Sequence, residues 1–254
     1  MKPTNLPQAV RYRIYLEDAA LLYDNCAKPD FNQIVQFIHR ENPNRGWAFD
    51  VGCGTGSLIE RLVNLGWKCS GCDPAPAMIR IARQKNRGSK IHLSSATNFY
   101  TDRHIELITC TSDVVNHLPS HLAVKAFFQR AFDSLRPGGM LVFDSLTPGD
   151  INLNWQDYEE VNRFDNAYLI RSGRRNRLGT GVLHYEFFTR LQGDTWRQSI
   201  EIHHLRAWSR AWLESALHRI GFIRLRIVDS STLDRPDSSC VRWLIAAHKP
   251  GRKR

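Results

Sequence analysis

The chain has 254 residues, 42% of them hydrophobic and 24% charged, which fits a soluble globular protein with a sizeable core. No apolar run approaches a bilayer span and the first residues lack the apolar stretch of a secretory signal, so a cytoplasmic protein without a membrane partner is expected. The formal net charge of +10 leaves two readings, a solvated basic face and an anionic partner such as nucleic acid, and we favour the first.

In chain order, two amphipathic stretches, about Leu6 to Tyr23 and Phe31 to Arg40, predict an N-terminal helical lid over residues 1–44. Trp47 to Val51 reads as an apolar strand, and Leu58, Ile59, Leu62, Val63 and Leu65 recur at helical spacing until Gly66. Strands follow at Trp67 to Cys72, Lys90 to Leu93 and Ile105 to Thr111. Pro74 and Pro76 open a helix carrying Met78, Ile79 and Ala82. A helix from about Ser120 to Leu135 ends at Arg136-Pro137-Gly138-Gly139 and turns into the strand Met140 to Asp144. Alternating strands and helices of this kind predict a doubly wound α/β core over residues 45–148, with ligands beyond the carboxyl ends of the strands.

After Pro148 the pattern changes. Tyr168 to Arg171, Val182 to Leu191 and Trp196 to Leu205 read as an antiparallel insertion within residues 149–208, and residues 209–254 return to a helix stopped by Gly221 and two strands. One domain covers the whole. The spacing of Cys69 and Cys72 is that of a metal or redox pair, but they sit in a strand with no second pair, so they read as small hydrophobes and no metal is expected.

The segment Asp50-Val51-Gly52-Cys53-Gly54-Thr55-Gly56 is a glycine loop between a strand and a helix. Such a loop lets a ligand approach the backbone and aims free helix N–H groups at it. Its glycines are spaced G-x-G-x-G rather than G-x-G-x-x-G, and Asp50 precedes the first of them. A carboxylate there repels a pyrophosphate and attracts the ammonium of an amino-acid ligand. Asp73, ending the next strand, can accept both hydroxyls of a ribose; otherwise it caps a helix.

Ala48 to Gly56 resembles motif I of the class I S-adenosylmethionine-dependent methyltransferases. Cys72 to Ile79 resembles their second motif, and Leu135 to Leu141 resembles the turn before their fifth strand. The resemblance, over about residues 45–145, implies a Rossmann-like seven-stranded sheet. It also implies S-adenosyl-L-methionine as methyl donor, with S-adenosyl-L-homocysteine as product. It places Gly52 and Gly54 at the methionine moiety, Asp73 at the ribose, and Met78 near the adenine. Thr55, Gly56, Pro74 and Thr111 complete the expected cofactor set. The family often has an Asp after the third strand; here Ser94-Ser95-Ala96-Thr97 stands there, so Ser95, Ala96 and Thr97 are the adenine-side candidates.

Methyl transfer from a sulfonium needs alignment above all, and a base only when the nucleophile arrives protonated. The segment after the fourth strand offers His117 as a base near neutrality, with Asp113 and Asn116 to orient an amine or the cofactor; both could instead order the loop. Tyr15 and Tyr23 are candidates to close over the sulfonium through their rings, or are core aromatics. Trp155, Tyr158, His184, Tyr185, His203 and His204 are available to wall a pocket, according to strand register. The expected activity is methylation of N or O on a small-molecule acceptor by a monomer or homodimer. The rivals are an RNA methyltransferase using the basic surface, a cofactor-binding regulatory protein without catalysis, and a nicotinamide oxidoreductase.

Overall fold

The computed structural model describes residues 14–26, 31–42, 44–153, 155, 158–176 and 180–251. The first part of the expected lid, residues 1–13, lies outside them.

Helices α1 (Glu17–Cys26) and α2 (Phe31–Glu41) precede β1 (Trp47–Val51), α3 (Ser57–Asn64), β2 (Lys68–Asp73), α4 (Pro76–Lys85), β3 (Lys90–Leu93) and β4 (Ile105–Cys110). Next come α5 (Val114–His117), α6 (His121–Ser134), β5 (Leu135–Leu146) and α7 (Pro148–Leu153). Four strands follow: β6 (Tyr158–Phe164), β7 (Ala167–Arg175), β8 (Gly181–Arg190) and β9 (Trp196–Leu205). The described chain closes with α8 (Arg210–Ile220), β10 (Ile223–Asp229) and β11 (Arg242–His248).

The main sheet has seven strands in the order β10-β11-β5-β4-β1-β2-β3, and the other four strands form a separate sheet, β6-β7-β8-β9. Strands β1 to β5 pair in parallel, and β11 is antiparallel to both its neighbours. The chain order reverses between β1 and β4, so the crevice beyond their carboxyl ends is where a doubly wound sheet takes its ligand. No helix among the described residues is long and apolar enough to cross a membrane.

Each central strand is apolar on both faces because helices cover both. Phe49, Ile108, Leu141 and Phe143 meet Phe127 and Phe128 of α6 and Leu213 and Leu217 of α8. Their neighbours Ala48, Leu107, Met140 and Val142 meet Ile59 and Leu62 of α3, Ile79 and Ala82 of α4, and Phe37 and Ile38 of α2. Each of the large side chains contributes about 1.5–3 kcal/mol when removed from water. Helix ends follow their sequence signals: Ser120 and Ser209 cap α6 and α8 through their hydroxyls, and Gly221, at φ 112°, ends α8.

Three features differ from the sequence expectation. Helix α2 is a core helix more than a lid, since Ile34, Phe37 and Ile38 are buried and only its first turns reach the cavities, through Phe31 and Ile34. Residues 136–139 bulge out within β5 rather than preceding it, because Leu135 pairs with Ile105 and Met140 with Leu107. The second sheet also has an edge strand, β6, that the sequence did not reveal; it turns Glu160 and Asn162 inward, so no apolar alternation marks it.

Candidate active site

The glycine loop leaves β1 with Gly52, Gly54 and Gly56 at φ 72°, 53° and 80°, a left-handed backbone that side chains with a Cβ adopt at a cost. A Cβ on Gly52 would stand 2.4 Å from Val114, and one on Gly56 would stand 2.4 Å from the Asn86 amide, which donates to the Gly56 carbonyl at 3.1 Å. Gly56 therefore serves the packing of the loop on α4, whereas Gly52 and Gly54 face the cleft.

Asp73 is buried at the end of β2. Its Oδ2 accepts from the Gly54 N–H at 3.0 Å and its Oδ1 from the Ala75 N–H at 2.8 Å. Burial raises its carboxyl to about 6, and the two N–H donors only partly oppose that. Asp50, also buried, accepts from the Thr109 hydroxyl at 2.7 Å. Burial pushes it to about 7, the Thr109 bond opposes this, and the nearby Asp73 charge adds to it. A buried carboxylate held by one hydroxyl is incomplete as an anion site and fits an incoming ammonium group.

Two cavities follow this loop. One is lined by Tyr15, Tyr23, Gly52, Gly54, Asp73, Pro74, Met78 and His117. The other is lined by Tyr23, Asp50, Cys53, Thr55, Thr111 and Ser112. The candidates Tyr23, Asp50, Gly52, Gly54, Thr55, Asp73, Pro74, Met78 and Thr111 thus come together. Ser95, Ala96 and Thr97 are absent from both linings; Ser95 and Thr97 bond each other at 3.2 Å.

A third cavity, of about 450 Å³, shares Tyr15, Tyr23 and Ser112 with them and runs under the second sheet. Its far wall includes Leu169, Arg171, Tyr185, Phe187, Glu201 and His203, and its floor includes Asp113, Asp144 and Arg242. Register selects these residues. Tyr185 pairs with Glu201 and Leu183 with His203 on the inner face, so His184 and His204 belong to the other face of the sheet. Trp155 packs on Gly181 and Tyr158 bonds Glu160, so neither walls this cavity.

Ser112 and Asp113 are consecutive residues at φ 65° and 68°, and the Asp144 carboxylate holds them by accepting both their N–H groups, at 2.9 and 3.1 Å. Arg242 reaches from β11 to pair with Asp113 and with Asp144, the latter at 2.9 Å. Burial raises the Asp144 carboxyl and the Arg242 charge opposes it. Sequence reasoning reached Asp144 only as a strand end and missed Arg242, whose partners lie 98 and 129 residues away.

His117 and Tyr15 share a 3.1 Å hydrogen bond between Nε2 and the phenol, and the Tyr15 ring packs edge-on against His203 at 4.8 Å. Burial, then the neighbouring His203, lower His117 to about 4, whereas the sequence suggested a base near neutrality. Burial likewise raises the Tyr15 and Tyr23 phenols, so both remain donors. Asn116 is a correction. It is fully buried, its amide donates to the Arg206 carbonyl at 2.7 Å and to the Ser145 hydroxyl at 3.3 Å, and its oxygen accepts from the Leu146 N–H. With its polar atoms so engaged, it joins α5 to β5 and takes no part in the cavity.

Helix α1 is fastened at both ends. Asp18 accepts from Thr189 and Ser199 and pairs with Arg197 on the second sheet. Asp24 accepts from Thr55 and Ser57 beside the glycine loop and pairs with Lys85 of α4.

Residues 48–139 match a family model described as a methyltransferase domain. The chain is 24% identical over 242 residues to a Bacillus subtilis (strain 168) protein named "Putative methyltransferase YqeM", covering 93% of this chain and 97% of that one. It is 32% identical over 114 residues to a ubiquinone biosynthesis O-methyltransferase of Nitrobacter winogradskyi, covering 43% of this chain and 40% of that one. Among solved structures it resembles an S-adenosylmethionine-dependent methyltransferase from Clostridium acetobutylicum, with TM-score 0.79, 20% identity and coverage of 92% and 96%. It also resembles the sugar N-methyltransferase KedS8 from Streptoalloteichus, with TM-score 0.75, 18% identity and coverage of 91% and 92%. The fold is that of the Rossmann-like enzymes of methyl transfer. Residues 48–139 form a methyltransferase domain, and the S-adenosylmethionine-dependent methyltransferase activity of the chain rests on it.

Proposed function

We propose that the enzyme methylates a neutral amine nitrogen of a small-molecule acceptor held in the cavity under the second sheet. The observation that carries this reading is that every carboxylate and imidazole among the described residues lining the cavity and its cofactor end is already bonded within the chain. His117 is engaged by Tyr15 and is a weak base at about 4. Asp113 is paired with Arg242, Asp144 holds the loop, and Glu201 accepts from two backbone N–H groups and bonds the His203 imidazole at 2.9 Å. An alcohol or phenol needs its proton removed as it attacks, whereas an amine free base brings its own lone pair.

S-adenosylmethionine supplies a methyl group on a cationic sulfur. Asp50 would hold its ammonium, Asp73 its ribose hydroxyls, and the backbone at Gly52 and Gly54 its methionine chain. Pro74 and Met78 would line the adenosine side. Tyr23, at the junction of the three cavities, would present its ring to the sulfonium. Tyr15 would accept an amine N–H and turn the nitrogen lone pair toward the methyl carbon. The acceptor nitrogen would take the methyl group in line, the S–C electron pair would remain with sulfur, and the methylated ammonium would give its proton to water. Alignment of this kind supplies on the order of 7 kcal/mol or more without a base.

The cavity's size suits a small molecule rather than a nucleic-acid chain. The name of the sugar N-methyltransferase relative supports nitrogen, since that likeness spans both sheets, whereas the O-methyltransferase match covers less than half of either chain. The test is a labelled-methyl screen of paired amine, alcohol and phenol metabolites alongside an RNA pool. Label in amines supports the reading; label in hydroxyl compounds or RNA alone overturns it.

A further inference from the structure

We infer that Glu201 is a positioning residue for methyl transfer, acting through Tyr15. The inference rests on the reading of Tyr15 as the residue that faces the acceptor. Glu201 lies on β9, far from the cofactor motifs in sequence, and only 2% of it is exposed. Its two carboxylate oxygens are divided over the start of the lid: Oε2 accepts from the Tyr15 N–H at 2.6 Å and Oε1 from the Leu16 N–H at 2.7 Å. Oε2 also bonds His203 Nε2 at 2.9 Å, and that imidazole packs edge-on against the Tyr15 ring.

One buried carboxylate therefore fixes the backbone of Tyr15 directly and its ring through His203. Both constraints are needed, because Tyr15 has φ 58°, a left-handed conformation that costs a non-glycine residue on the order of 1–2 kcal/mol. In an extended conformation the phenol would point elsewhere and the bond to His117 would be lost. The negative charge also sits before the first turn of α1, where the helix dipole favours it. Tyr15 touches His117, Tyr23 and His203, so its placement decides how the cofactor cavity meets the acceptor cavity. Glu201 thereby links the second sheet, which walls the acceptor, to the lid, which covers the cofactor. This gives the second sheet a part in aligning the reaction besides enclosing the substrate.

The test needs no acceptor. Amide exchange at Tyr15 and Leu16 and the 15N resonances of the His117 ring are recorded for the full-length protein with S-adenosylhomocysteine, in wild type and in Glu201→Gln, Glu201→Asp and Tyr15→Phe. Calorimetry with S-adenosylhomocysteine confirms that each variant is folded. In Glu201→Gln, an amide nitrogen replaces one oxygen and faces a donor. At least one of the two backbone amides should then exchange tenfold or more faster, and the His117 resonances should move to their positions in Tyr15→Phe. Glu201→Asp keeps the buried charge on a shorter arm and should show the same changes, which covers the case of a Gln variant that does not fold. Unchanged exchange and unchanged His117 resonances in either folded variant would overturn the role of Glu201, whatever the acceptor proves to be.

Discussion

The Tyr15 hydroxyl lies 3.1 Å from His117 Nε2, a bond across 102 residues that fastens the lid to the segment after β4. Tyr15→Phe removes it while keeping the ring contacts with Tyr23 and His203. Turnover should fall about tenfold, the equivalent of one lost hydrogen bond of about 1.4 kcal/mol in the transition state. Affinity for S-adenosylhomocysteine should stay within threefold. Steady-state kinetics and calorimetry check the two expectations, and a loss confined to cofactor affinity contradicts them.

Asp73→Ala removes the carboxylate that would accept the ribose hydroxyls, and it releases the Gly54 and Ala75 N–H groups. S-adenosylhomocysteine should bind on the order of a hundredfold more weakly, about 3 kcal/mol. Calorimetry on the folded variant measures it, and wild-type affinity would remove Asp73 from the site.

Gly52→Ala and Gly54→Ala should differ. Both residues are left-handed, but a Cβ at Gly52 meets Val114 at 2.4 Å and one at Gly54 meets Tyr23 at 3.7 Å. Gly54→Ala should cost about 1–2 kcal/mol from backbone strain alone, and Gly52→Ala should cost more than that. Chemical denaturation of the two variants gives the order, and equal losses would contradict it.

Cofactor binding should depend on pH through Asp50. Its carboxyl, raised to about 7, is largely neutral at pH 5 and ionised at pH 8, and only the ionised form pairs with an ammonium. Affinity for S-adenosylhomocysteine should rise from pH 5 and level off above about pH 7. Asp73, at about 6, contributes to the lower part of that rise, so Asp50→Asn should leave a shallower one. The sign for stability without cofactor is opposite. A raised carboxyl favours the folded state below its unfolded pKa of about 3.9, and that contribution is lost as pH rises through about 7. Calorimetric titrations at several pH values decide the first point and thermal melts the second.

The cofactor half was legible in the sequence because its determinants are local. A left-handed glycine loop, an acid ending β2 and two-sided apolar strands each leave a mark within ten residues or so. The acceptor half was not, because its determinants are cross-strand and long-range. Arg242 finds Asp113 and Asp144 only when β11 pairs with β5, and Glu201 meets Tyr15 over a separation of 186 residues. Tyr185 and His203 could be nominated but not chosen over His184 and His204, since a one-residue change of register exchanges the two faces. Asn116 looked catalytic because an amide beside a histidine after β4 has the right chemistry. Only its burial and its partners show that its bonds go to the chain itself. Composition suggested His117 as a neutral-pH base, and only its burial showed otherwise.

Attack by the acceptor nitrogen without help from a protein base is tested most directly by kcat/KM as a function of pH on an amine acceptor, in wild type and in His117→Asn. With S-adenosylmethionine saturating at each pH, the rate should rise with the acceptor's own deprotonation, and the same ionisation should govern both proteins. A further limb in the wild type, separate from the acceptor's ionisation, that vanishes in the variant would show His117 acting as a general base and would contradict it.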